Sequence, residues 1–118
     1  MERSHYTPFI LSSNAWFGSG NAEALTAGTR VLHAVVARGH RTNSLWFDYT
    51  QHSASVHGID NFKLYRDALR SVRSLLIERA PERVMLLGGG CAVTSAVVSY
   101  LSTIHDRSQL IWVDAHRD

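Results

Sequence analysis

The chain is poor in cysteine, in excess charge and in long apolar runs, and each shortage excludes something. Its single cysteine, Cys91, cannot form an internal disulfide, which rules out a disulfide-stapled scaffold and points to a reducing, cytoplasmic setting. Twelve Lys and Arg against ten Asp and Glu leave a net charge of only +2. The arginines are scattered along the sequence rather than stacked in runs that would track a phosphate backbone, so no nucleic-acid partner is expected. The apolar segments are only a few residues long, far short of the roughly 20 needed to cross a bilayer. The opening "MERSHYTPFIL" lacks the apolar core and small-residue cleavage site of a secretory signal, so no membrane association is expected either. There is no internal repeat, low-complexity tract or linker.

What is present describes a folded chain. An apolar fraction of 45% with 19% charged residues is ordinary for a globular protein, and 118 residues suffice for one domain with a real core. "PFILSSNAW" (8–16) begins as a strand and breaks at Gly18 and Gly20. Asn21 then caps a helix whose Leu25, Gly28, Leu32, Val35 and Val36 fall on one stripe and which stops by Gly39. "TNSLWFD" (42–48) is a short aromatic-rich strand, and the polar stretch 49–59, with His52 and His57, reads as a loop. Asp60 or Asn61 starts a second helix. In it Tyr65, Ala68, Leu69, Val72, Leu75 and Leu76 repeat with helical spacing until Pro81 forbids continuation. "RVMLL" (83–87) is a third strand running into Gly88, Gly89 and Gly90. A helix over about 92–105 follows, and Gln109 to Val113 is expected to be a fourth strand. Trp46 and Trp112 are expected in the core.

Strands without strict polar alternation, separated by helices, imply a parallel sheet covered on both faces by right-handed crossovers. Ligands in such α/β sheets sit at the carboxyl ends of the strands, so the residues following Trp16, Asp48, Leu87 and Val113 are the places to look for chemistry. The three glycines there are followed by no Lys-Ser/Thr and form no G-x-G-x-x-G, which leaves a nucleotide site without its usual pattern.

The chain ends in "QLIWVDAHRD". In extended backbone, Asp114, His116 and Asp118 share one face while Ala115 and Arg117 take the other. Two carboxylates and an imidazole suit a hard or borderline divalent cation such as manganese. The competing reading is that the three are solvated loop residues after a strand.

"IWVDAHRD" resembles the Asp-Ala-His-Xaa-Asp signature of the arginase, agmatinase and formiminoglutamase family, the ureohydrolases. "MLLGGGCAVTSAVVSYL" lies where that family has Gly-Gly-Asp-His before a helix, and "WFGSG" resembles the family's early strand-to-helix turn. The resemblance spans nearly the whole chain, with its specificity in the last ten residues and in Gly88 to Cys91. It implies an arginase-like three-layer α/β/α parallel sheet. Residues 1–118 would be the truncated N-terminal part of that single domain, with about four strands and three helices. It also implies a two-manganese hydrolase acting on the C–N bonds of small guanidino or amidino substrates, homo-oligomeric at full length. By position Asp114 would bridge both ions, His116 would bind one and Asp118 the other.

Cys91 stands where the family has its first histidine ligand, and Gly90 where it has the preceding aspartate. A thiolate at a helix start can bind a metal but favours softer ions than manganese; alternatively Cys91 is a small buried residue under the glycine turn. The family's second acidic motif, Asp-Xaa-Asp, does not occur in these residues. Asp48 could face the same crevice, or could serve ordinary turn chemistry. The fragment alone is therefore expected to be inactive. A second reading stands beside the hydrolase: a degenerate, non-catalytic arginase-fold protein serving as a binding or oligomerisation module.

Overall fold

The run Phe-Ile-Leu-Ser-Ser forms β1 (Phe9–Ser13), and it is the central strand of a three-stranded parallel sheet in the order β2-β1-β3, with β2 at Thr42–Leu45 and β3 at Val84–Gly88. The computed structural model describes residues 8–17, 21–88, 91 and 93–113. Ile10 stands beside Thr42 on one side and Met85 on the other, and Ser13 stands beside Leu45 and Gly88. A central strand has neighbours on both edges and cover on both faces, so it needs no polar alternation, and Ile10 through Ser13 are all buried.

Successive side chains of β1 point to opposite faces. Leu11 belongs to the main apolar cluster with Ala68, Val72 and Leu76 of α2 (Phe62–Arg79) and Ala96, Val97 and Tyr100 of α3 (Thr94–Ile104). Ser12, turned the other way, shares a hydrogen bond with Nδ1 of His33 on α1 (Ala22–Val36). Helices α2 and α3 thus pack together on the Leu11 side, and α1 lies against β1 and β3 on the Ser12 side.

The helix boundaries have local causes. Asn21 accepts a hydrogen bond from the Ala24 amide at 3.0 Å, and Glu23 in the first turn favours the positive end of the helix dipole. Asn61, at the start of α2, has φ +55 and does not cap the helix with its side chain; its Oδ1 instead accepts from the Ser53 amide at 2.9 Å, fastening the preceding loop. That loop carries a tight turn in which His57 and Gly58 have φ +55 and +76 between the bridged residues Val56 and Ile59. Helix α2 ends at Ala80, a left-handed alanine at φ +50 whose amide donates to Leu76, with Pro81 next. The far end of α3 is tied down before β3: the Tyr100 hydroxyl donates to the Pro81 carbonyl at 2.7 Å and His105 Nε2 to the Glu82 carbonyl at 2.9 Å.

Three expectations need correction. The described residues hold three strands, not four: residues 109–113 join no ladder, and Ile111 and Val113 are 78% and 94% exposed. A short apolar run is strand-like by composition, but a strand exists only through a hydrogen-bonded neighbour, and composition does not supply one. The α1 stripe is also rotated from its expected position. Thr26 and Thr29 are buried, while Val35 is 67% exposed and Leu32 is exposed too. The sheet face under α1 presents Ser12, and small hydroxyl side chains can approach it closely where bulky aliphatic ones cannot. Trp46 and Trp112 are exposed rather than core residues, and Arg30 lies over the Trp46 ring at 5.6 Å. Among the described residues, no helix is long and apolar enough to cross a membrane.

Candidate functional site at the carboxyl ends of the strands

The chain leaving β1 stays buried: Asn14, Ala15, Trp16 and Phe17 are all shielded from solvent. Asn14 works as a substitute for strand pairing beyond the end of the ladder. Its Oδ1 accepts from the Phe47 amide at 2.7 Å, and its Nδ2 donates to the Phe47 carbonyl at 2.9 Å and to Thr26 Oγ1 at 3.0 Å. One primary amide can satisfy both backbone groups of one residue, and this joins the ends of β1 and β2 with α1. Phe47 then lies edge-on to Phe17 at 5.5 Å, Phe17 contacts Tyr65 at 6.4 Å and Trp16 at 5.0 Å, and Trp16 meets the His52 ring at 5.6 Å. The chain leaving β1 is thus held in an aromatic cluster that reaches the exposed His52.

Two buried donors at this end have no hydrogen-bond partner among the described residues: Ser13 Oγ and Trp16 Nε1. Leaving such a group unsatisfied costs about 1–3 kcal/mol, so native structures keep them where water or a ligand takes the bond. Ser13 stands in register with Gly88, the last residue of β3. The central strand therefore brings free donor capacity to the region where α/β sheets receive ligands.

Asp48 is engaged by its own turn. Its carboxylate accepts from the Thr50 hydroxyl at 2.6 Å and the Thr50 amide at 2.8 Å, and these bonds, the hydroxyl one first, hold its pKa below the usual carboxylate value. Turn chemistry accounts for it. His52 and His57 are exposed, as expected of loop residues, although each ring meets an aromatic neighbour, Trp16 and Phe62 respectively.

Cys91 is a free thiol and exposed, which removes the reading of it as a buried apolar residue. Its carbonyl accepts from the Thr94 amide at 3.2 Å as the chain turns into α3. Asp114, His116 and Asp118 lie outside the described residues. Among the described residues, no group of three His, Cys, Asp or Glu is placed to hold a metal ion. The donor set of Asp114, His116 and Asp118 suits manganese by its chemistry, whereas a Cys91 thiolate does not.

Sequence reasoning missed Asn14, Thr26 and the Ser12–His33 pair. The usable signal was "SSN", three polar residues directly after "FIL" where a buried strand should continue apolar. No protein-family model, curated protein or solved structure matches this chain.

Proposed function

We propose that the chain belongs to a manganese-dependent hydrolase of the ureohydrolase type, acting on the C–N bonds of small guanidino or amidino compounds, in an arginase-like three-layer α/β/α sheet. The observation that carries this reading is the Asp-Xaa-His-Xaa-Asp pattern of Asp114, His116 and Asp118 directly after an apolar run. The parallel α/β sheet and the unsatisfied Ser13 and Trp16 donors at its carboxyl end support it. Divalent cations held there would supply a water of lowered pKa and positive charge beside the scissile carbon. This chain's own contribution would be to hold them with two carboxylates and one imidazole, beside a strand end fixed by the buried Trp16 and Phe17. The reading carries with it a cytoplasmic setting and a homo-oligomeric full-length enzyme.

The degenerate, non-catalytic reading is favoured by one residue, Cys91, exposed and soft where the hydrolase would use a histidine. The two separate in one experiment: urea release from arginine, agmatine and other guanidino compounds, with and without manganese, by the product of the complete gene. Manganese-dependent release that Asp114→Asn abolishes supports the hydrolase; absence of both bound metal and turnover leaves the non-catalytic protein. Residues 1–118 alone are expected to release none.

A further inference from the structure

Helix α2 carries Lys63, Arg66, Arg70, Arg73 and Arg79 against Asp67 and Glu78, a net of +3 on a chain whose total is +2. Three of these cations, Arg66, Arg70 and Arg73, follow the i, i+4, i+7 spacing of one helix face, and with Leu69 they line one wall of a groove between α2 and α3. The facing wall is Ser95, Ala96 and Ser99. Helix α3, Thr94–Ile104, contains no charged residue, so the wall opposite the three arginines offers serine hydroxyls and no carboxylate. Arg70 and Arg73 form no ion pair among the described residues. Arg66 sits near the Phe62 ring at 6.0 Å, and its solvent-shielded Nε makes no hydrogen bond, with Asp67 Oδ1 standing 3.5 Å away.

We infer that this groove is a binding site for a small molecule bearing two or three linked phosphates. Three forces converge on that chemistry. Arg70 and Arg73, without acidic partners among the described residues, stand beside Arg66, which Asp67 only partly offsets, and together they raise the local positive potential, which a polyanion relieves. Guanidinium recognises phosphate oxygens in pairs, and serine hydroxyls add neutral donors from the opposite side. Arg66 to Arg73 spans about 10 Å at 1.5 Å rise per residue, the length of a short phosphate chain rather than of a single anion. The groove measures about 410 Å³, within the ~300–1,000 Å³ range of small-ligand sites. It is independent of the hydrolase reading, because it lies between α2 and α3 and uses none of the metal-type ligands.

The test is calorimetric titration of the 118-residue chain with inorganic tripolyphosphate, beside citrate, a poly-glutamate peptide and single-stranded RNA. Saturable tripolyphosphate binding is expected, weakened about tenfold or more in Arg70→Ser/Arg73→Ser and not fully restored by Arg70→Lys/Arg73→Lys, since an ammonium lacks the paired donors. Amide shifts of the wild-type chain on adding tripolyphosphate are expected at Ser95 and Ser99, and that measurement stands even if a variant folds poorly. Equal binding by the serine variant, tighter binding of citrate, peptide or RNA, shifts elsewhere than α2 and α3, or no binding would each overturn the assignment.

Discussion

Replacing Asn14 by alanine should be among the most damaging single changes in the chain. The side chain is 1% exposed and makes three hydrogen bonds, to the Phe47 amide, the Phe47 carbonyl and Thr26 Oγ1. Alanine removes all three partners at once and leaves a void the size of an amide. Stranded polar groups cost about 1–3 kcal/mol each when sealed from water and less where water reaches them, which places the total at about 3–5 kcal/mol. A domain of this length has roughly 6–18 kcal/mol of stability, so the loss is a large fraction of it. At about 4 °C per kcal/mol, the melting midpoint should fall by about 12–20 °C. Two companion variants calibrate the reasoning. Thr26→Val removes one bond and should cost about 1 kcal/mol, whereas Asn14→Asp keeps only the acceptor and buries a charge, and should be at least as harmful as alanine. Urea unfolding followed by circular dichroism gives these differences directly. A loss below about 1 kcal/mol for Asn14→Ala, with an unchanged denaturant slope, would refute the view that this amide joins β1, β2 and α1.

Other expectations follow from single features. Ala80→Gly should stabilise the chain by about 0.5–1 kcal/mol, because glycine takes the left-handed φ +50 of the α2 terminus without strain; a rise of a few degrees in thermal melting checks it. Tyr100 is buried, and desolvation, with the Glu82 charge as a second cause, raises its pKa above 10.0. A raised folded-state pKa means the phenol's contribution is complete below the unfolded value and is lost as pH climbs through and beyond 10, so alkaline urea midpoints should fall less steeply in Tyr100→Phe than in the wild type. Ile111→Lys should change stability by less than about 0.5 kcal/mol, as its side chain is 78% exposed; a loss of 2 kcal/mol or more in urea unfolding would mean the run is packed as a strand. Cys91 should react at once with a thiol reagent in the native protein, in a single stoichiometric step measured by absorbance.

How far the sequence revealed the fold depended on whether a signal was local. Helix α2 was legible because its Ala68, Val72 and Leu76 meet an apolar sheet face, so helical spacing and burial coincide. Helix α1 was legible as a helix but not in its orientation, since the face it covers presents Ser12 and the buried positions are Thr26 and Thr29, which hydrophobic periodicity does not count. Whether 109–113 join a ladder depends on which strand edges lie nearby, and that is a property of the whole sheet. Asn14 and Phe47 are 33 residues apart, and nothing in either neighbourhood announces their bonding. Likewise, the row of Arg66, Arg70 and Arg73 is local to α2, but the groove it lines exists only because α3 supplies a facing wall. Of the site, Asp114, His116 and Asp118 were readable as a motif because their alternation is local, while the buried donors Ser13 and Trp16 emerged only from packing.

The central claim is that Asp114, His116 and Asp118 act together as ligands for a divalent cation, and a manganese titration followed by electron paramagnetic resonance tests it most directly. Adding the chain to dilute manganese should diminish the signal of the free ion. Asp114→Asn and His116→Ala should each restore that signal, and Cys91→Ser should leave the binding unchanged, since a soft thiolate is not the donor manganese prefers. An undiminished free-ion signal with the wild-type chain, or equal loss of signal with Asp114→Asn and His116→Ala, would contradict the account.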